Sequence, residues 1–192
     1  MKKCLFVDCT LRPNSRTKMI ADALINNLQD YDIKHLKLDE LDLKPLTKDF
    51  YWDREKLLAN NELNHPRFDY ANQIKDANLI VIAAPFWDMS FPSLLKIYIE
   101  NICVEGITFN TTNKGMQGLC IADNLVFITT RGGYCANTDF EQATPYLKML
   151  CPFLGFKKFT CIEAEGLNDS NHTSYKQLDD AIDKAKLLAK NL

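Results

Sequence analysis

The sequence predicts an α/β protein built on one five-stranded parallel sheet, strand order 2-1-3-4-5, with helices on both faces. Three observations carry this expectation. Strand-length apolar runs alternate along the chain with segments whose apolar residues recur every three or four positions, the pattern of strands joined by crossover helices. The run Asn78-Leu79-Ile80-Val81-Ile82 is apolar almost throughout, as a parallel strand covered on both faces must be. No GxGxxG follows the first strand, which argues against a dinucleotide-binding Rossmann sheet.

Taken in order, residues 3–8 form the first strand and 17–29 a helix with Met19, Ile20, Ala23, Leu24 and Leu28 on one face. Residues 33–38 alternate apolar and polar side chains, as a strand near a sheet edge does. The long segment 41–76, which carries Phe50-Tyr51-Trp52, has room for one or two helices. Residues 79–84 are the third strand. Pro92 suits the first turn of a helix running to 103, where its missing N–H would lack a partner anyway. Residues 106–119 read as a small hairpin closed around Asn113-Lys114-Gly115. Strands at 125–130 and 159–162 complete the sheet. Thr144 is the expected N-cap of a helix to 154 that has Pro145 in its first turn. A last helix, 174–191, sets Leu178, Ile182, Ala185 and Leu188 in one stripe.

Composition narrows the function. A chain of 192 residues, 46% apolar and 25% charged, is expected to be a single domain, 1–192, with a sizeable core. A net charge of −2 gives no reason to expect nucleic acid or an anionic membrane as partner. The apolar runs are too short for a membrane span, and the N-terminal one is too short for a signal peptide. A cytoplasmic location is therefore expected. The seven cysteines form no CxxC pair, and His35, His65 and His172 stand alone. Neither a disulfide framework nor a metal site follows.

Three loops could carry chemistry. After strand one, Cys9-Thr10-Leu11-Arg12-Pro13-Asn14-Ser15-Arg16-Thr17 runs into a helix, and hydroxyls, cations and free helix amides are what a phosphate needs. The plainer alternative is a Ser15 N-cap beside surface arginines. After strand three, Pro85-Phe86-Trp87-Asp88-Met89 places aromatic side chains at a strand end. In open α/β sheets that is where ligands bind, and an apolar aromatic wall suits a flat conjugated ring. Its alternative is core packing of Phe86 and Trp87. After strand four comes Thr130-Arg131-Gly132-Gly133. Paired glycines permit positive φ and close backbone approach, and Arg131 could steady negative charge on a reduced ring. A glycine turn with a solvated arginine is the alternative. In the order 2-1-3-4-5 these loops share one rim, so a phosphate cradle, an aromatic wall and a glycine floor together describe a mononucleotide with a flat ring.

The chain resembles the flavodoxin-like, FMN-dependent NAD(P)H azoreductase and quinone reductase family over nearly its whole length. The similar segments are Ala84-Pro85-Phe86-Trp87-Asp88-Met89, Gly106-Ile107-Thr108-Phe109, Thr130-Arg131-Gly132-Gly133, Thr144-Pro145-Tyr146-Leu147, Leu154-Gly155-Phe156 and Ala164-Glu165-Gly166. The resemblance implies non-covalent FMN, its phosphate and ribityl chain held by Ser15, Arg16 and Thr17. Phe86, Trp87, Asp88 and Met89 would face the ring, and residues 130–133 its polar edge. It also implies NADH or NADPH as donor, a quinone or azo compound as acceptor in the same pocket by turns, and a homodimer with the site at the subunit interface. An electron carrier with no NAD(P)H activity of its own is the competing expectation. No side chain stands out as a catalytic acid or base. Three departures from the family pattern are Cys9 for a common serine, Asp88 for asparagine and Trp87 for tyrosine. Cys9 is either a thiol activated near a helix start or a small packing residue.

Overall fold

The computed structural model of the chain describes residues 1–169 and 173–192. Its main sheet joins β1 (Lys2–Asp8), β2 (Tyr31–Lys37), β3 (Leu79–Ala83), β6 (Asn124–Thr130) and β7 (Lys158–Ala164) in the order β2-β1-β3-β6-β7. All neighbours run parallel. With the separate antiparallel hairpin of β4 (Phe109–Thr112) and β5 (Gly115–Gly118) set aside, this is the expected 2-1-3-4-5 arrangement. Asp8 pairs with Ala83, and Ala83 with Ile128, so β1, β3 and β6 end nearly level and their loops share one rim.

Strand alternation divides the apolar runs between two cores. Leu5, Val7, Ile80, Ile82, Leu125 and Phe127 point to one face, under α4 (Ser93–Ile102) and α5 (Ala143–Leu154), which contribute Leu95, Ile99, Leu147 and Leu154. Cys4, Phe6, Leu79, Val81, Val126 and Ile128 point to the other face. There Ile20 and Leu24 of α1 (Arg16–Ile25) and Ala181 and Ala185 of α6 (Thr173–Ala189) cover them. Fully burying a Leu or Ile is worth about 1.5–3 kcal/mol, so a sheet apolar on both faces holds both helix layers.

Several boundaries differ from the sequence expectation for local reasons. The first helix stops at Ile25 rather than 29, because Asn26 caps it and Asp30 turns the chain with a left-handed φ of 62°. Met19, expected in its buried face, is exposed, and Thr17 and Ala21 take that face with Ile20 and Leu24. Pro92 is the N-cap of α4 rather than a first-turn residue. Gln142 occupies the cap of α5, while Thr144 sits inside its first turn and donates its amide to Glu141 Oε1 at 2.9 Å. The segment 41–76 holds α2 (Lys48–Ala59) and α3 (Asp69–Lys75). The hairpin rests on the end of α5. A Cβ at Gly118 would collide with the backbone of Leu154 and Gly155, so only glycine permits that approach.

Candidate functional site

Loop one leaves β1 at Asp8, whose buried carboxylate accepts bonds from the Thr10 amide (2.9 Å) and the Thr10 hydroxyl (2.7 Å). The ring of His35, stacked on Phe6, pairs with Asp8 through Nε2 at 3.0 Å. His35 is thus a structural partner of the loop, and His65 caps a short turn by accepting from the Arg67 amide. His172 lies outside the described residues. The loop then delivers Ser15 to the N-cap of α1, where its hydroxyl accepts from the Lys18 amide at 3.3 Å. The amides of Arg16 and Thr17 have no carbonyl one turn back inside the helix. The capping alternative for Ser15 is observed, and it leaves the helix-start amides open.

The Arg16 guanidinium reaches across to the loop after β7, donating to the Leu167 carbonyl and, at 2.9 Å, to Asn168 Oδ1. Two of five donors are spent in this way, which leaves the fork able to meet an anion as well. Thr17 Oγ1 lies 2.6 Å from Thr130 Oγ1. Cys9 does not belong to this group: it is fully buried in the core against α4. Burial, reinforced by the nearby Asp8 charge, pushes its thiol up to about 12. This placement corrects the expected cradle role of Cys9 and selects the second of the two readings of its thiol. It is a packing residue.

Loop two continues the sheet beyond β3, with the Phe86 amide donating to the Thr130 carbonyl at 3.2 Å. Trp87 and Ser90 then exchange both backbone bonds across a tight turn in which Asp88 (φ 49°) and Met89 (φ 65°) are left-handed. Non-glycine residues rarely adopt that conformation, and two in succession mark strain held by its surroundings. One such hold is the Met89 carbonyl, which accepts from the Gln142 amide at 2.9 Å. Pro85 and Trp87 face the rim. Phe86 instead packs against the core, with the Arg131 guanidinium 5.5 Å from its ring centre. For Phe86 the packing alternative is the observed one, and Asp88 and Met89 sit exposed at the tip of the turn.

Loop three corrects the expected role of Arg131. Only 2% of the residue is exposed, and its guanidinium lies among Glu163, Glu165 (3.2 Å) and Glu141 (3.4 Å), with Thr144 Oγ1 at 3.2 Å. Burial pulls its pKa down, but the hydrogen bond to Glu163 and the three carboxylate charges outweigh that and hold it above its ordinary value. Arg131 is a buried brace and offers no free charge to a ring. The glycines differ from expectation too, since neither has a positive φ. A Cβ at Gly132 would collide with Asn168 Nδ2 and would have to displace that side chain, whereas Gly133 faces open space.

The three loops converge on a cleft of about 70 Å³ lined by Leu11, Arg12, Asn14, Ser15, Arg16, Thr17, Pro85, Trp87 and Thr130. Closed ligand pockets usually measure some 300–1,000 Å³, so this cleft has room for only a small group such as a phosphate. A much larger hollow, about 930 Å³, lies elsewhere, beside the β2 edge and α2, with Lys34, Phe50, Arg67 and Tyr70 in its walls. Its residues come from none of the three loops. The sequence reading missed Glu141, Glu163, Glu165 and Asn168. One signal existed: Glu163 and Glu165 are two apart at the end of a strand, hence on one face.

The sequence model of the flavodoxin-like fold matches residues 2–188. The chain is 36% identical over 205 residues, covering 100% of both chains, to a protein of Clostridium beijerinckii named FMN-dependent NADH:quinone oxidoreductase. It is 35% identical, over 99% of each chain, to FMN-dependent NADH:quinone oxidoreductase 2 of Clostridium acetobutylicum. Among solved structures it superposes on an azoreductase from Bacillus anthracis str. Sterne with a TM-score of 0.90, 21% identity and full coverage of both chains. For an FMN-dependent NADH-azoreductase from Bacillus anthracis str. Ames Ancestor in complex with FMN the TM-score is 0.83, at 22% identity over 100% of this chain and 99% of that one. At such identities the structural likeness speaks for the fold. The sequence match and the sheet order together place the chain in the flavodoxin-like family.

Proposed function

We propose that the protein is an FMN-dependent oxidoreductase that passes electrons from NADH to quinones or azo compounds, its residues 1–192 acting as a single FMN-binding domain. One observation carries the reading. At the level ends of β1, β3 and β6, the open first turn of α1, the side chains of Pro85 and Trp87, and Thr130 line one cleft. The relatives' names supply the donor, NADH, and the acceptor class.

The residues present fit the cofactor. Ser15, Arg16 and Thr17, at a helix N-terminus, suit its phosphate. Among the described residues, the amides of Gly132, Gly133 and Tyr134 donate to no protein group, and such donors suit the acceptor-rich edge of its ring. Bound there, FMN supplies the electron-transfer chemistry, while the protein supplies position, contact and electrostatics. Trp87 closes one side of the rim. Arg131, neutralised by its glutamates, fixes loop three from behind. No side chain is assigned a proton-transfer role.

Leu11 of loop one, Met89 of loop two, Tyr134 and Phe140 between loop three and α5, and Tyr146 of α5 are exposed, and apolar exposure on this scale favours a protein interface. We infer a homodimer whose second subunit covers the ring side of the site. Among the described residues no helix is long and apolar enough to cross a membrane, and the reading takes the enzyme to be cytoplasmic. The test is the visible spectrum of the purified protein, followed by NADH consumption with a quinone. A yellow protein that consumes NADH only when acceptor is present is expected. A colourless protein that FMN cannot reconstitute would overturn the reading.

A further inference from the structure

We propose that Glu165 is the positioning residue of the glycine loop, fixing the amides of Gly132, Gly133 and Tyr134 as a row of three donors for the polar edge of a flat heterocycle. The proposal rests on the flavin reading above for the identity of that heterocycle. The direction of the row follows from peptide geometry. The carbonyls of Arg131, Gly132 and Gly133 accept from the amides of Leu167 (3.2 Å), Asn168 (3.0 Å) and Gly166 (3.0 Å). In a trans peptide the next residue's N–H points opposite to the carbonyl. With all three carbonyls turned toward residues 166–168, the N–H groups of Gly132, Gly133 and Tyr134 all point away from that segment.

The row ends where Glu165 begins to act. Its Oε1 accepts from the Cys135 amide at 3.0 Å and the Ala136 amide at 2.6 Å, and from Arg131 Nη1 at 3.2 Å. The chain therefore reverses its amides immediately after Tyr134. One carboxylate oxygen holds both the strand end from which the row starts and the turn at which it stops. Glu163 also bonds Arg131 Nη1, but it takes no amide of the loop. Glu141 bonds the first turn of α5 instead. Of the three carboxylates around Arg131, Glu165 alone touches the loop backbone among the described residues. A charge-assisted bond is roughly twice as strong as a neutral one, so the neutral amide in Glu165→Gln keeps the shape and loses much of the grip.

The test compares E165Q with E163Q. Amide hydrogen exchange on flavin-free protein reads the grip directly: protection at Cys135 and Ala136 should fall in E165Q and persist in E163Q. Titration with riboflavin, which has the ring without the phosphate, should show affinity falling about tenfold in E165Q and by less than about threefold in E163Q. The absorption bands of bound flavin, which report hydrogen bonding at its polar edge, should move toward those of free flavin only in E165Q. Should E165Q fail to fold, E165D, which keeps the charge and withdraws the oxygens by one methylene, carries the same measurements. Equal behaviour of E163Q and E165Q, or lost protection with riboflavin affinity and spectrum unchanged, would overturn the proposal. A wild-type protein that binds no flavin would instead remove the flavin reading, and the exchange data would still decide whether Glu165 orders the loop.

Discussion

The hydroxyl oxygens of Thr17 and Thr130 lie 2.6 Å apart, joining the first turn of α1 to the end of β6 inside the cleft both residues line. Thr17 is buried and Thr130 half-buried, so the bond is shielded on one side. Thr17→Val should cost about 1 kcal/mol of stability, and Thr130→Val somewhat less. In denaturant titrations of both single variants and the double variant, the two losses should not add, the coupling being about 0.5–1 kcal/mol. Strict additivity would mean that the hydroxyls ignore each other.

The turn at Asp88 and Met89 stores strain in an exposed position. A left-handed conformation costs an L-residue roughly 1–2 kcal/mol, whereas glycine adopts it freely and pays a smaller entropic cost. Met89→Gly should therefore stabilise the fold by up to about 1 kcal/mol. If the strain serves to present the side chain at the rim, the same variant should bind acceptor more weakly. A raised melting temperature with an unchanged KM would separate the strain from function.

Buried thiols set an alkaline limit. Burial pushes Cys4, Cys9, Cys120 and Cys161 up to about 12 from an ordinary 9.0. Above pH 9 the unfolded chain loses these protons while the native chain keeps them, so stability present below pH 9 is lost as the pH rises toward 12. Each such thiol contributes a slope of about 1.4 kcal/mol per pH unit. Cys9→Ala should flatten the fall in stability measured between pH 9 and 11. Thiol labelling of native protein at pH 8 should leave Cys9 unmodified whether or not flavin is bound.

Trp87 walls the rim on which donor and acceptor would lie. One face cannot hold a nicotinamide and a quinone together, so double-reciprocal plots at several quinone concentrations should be parallel, with inhibition at high acceptor. Trp87→Ala should change the ranking of acceptors by kcat/KM more than it changes FMN affinity. Intersecting lines would require two separate sites.

The sheet was legible because its apolar runs are long and Pro92, Pro145 and the strand-end glycines punctuate them. The rim was legible for the same reason, since strand order alone brings loops one, two and three together. Side-chain direction was not. Arg131 looks in sequence like a cation beside a glycine turn, and only the fold shows three glutamates, from β7, the residue after it and the approach to α5, closing around it. Cys9 follows the same logic, because alternation beyond Asp8 turns it into the core against Leu95. Pair patterns along a strand can suggest such partners, but contacts between distant segments leave no periodic trace.

Asn168 lies over Gly132 where a Cβ would stand, and its Oδ1 holds Arg16. A methyl group at residue 132 would have to displace that side chain and would thereby loosen a guanidinium on a different loop. Positions 16, 132 and 168 are thus linked: an alanine at 132 becomes tolerable once residue 168 is small, and by then the arginine keeps only its bond to the Leu167 carbonyl.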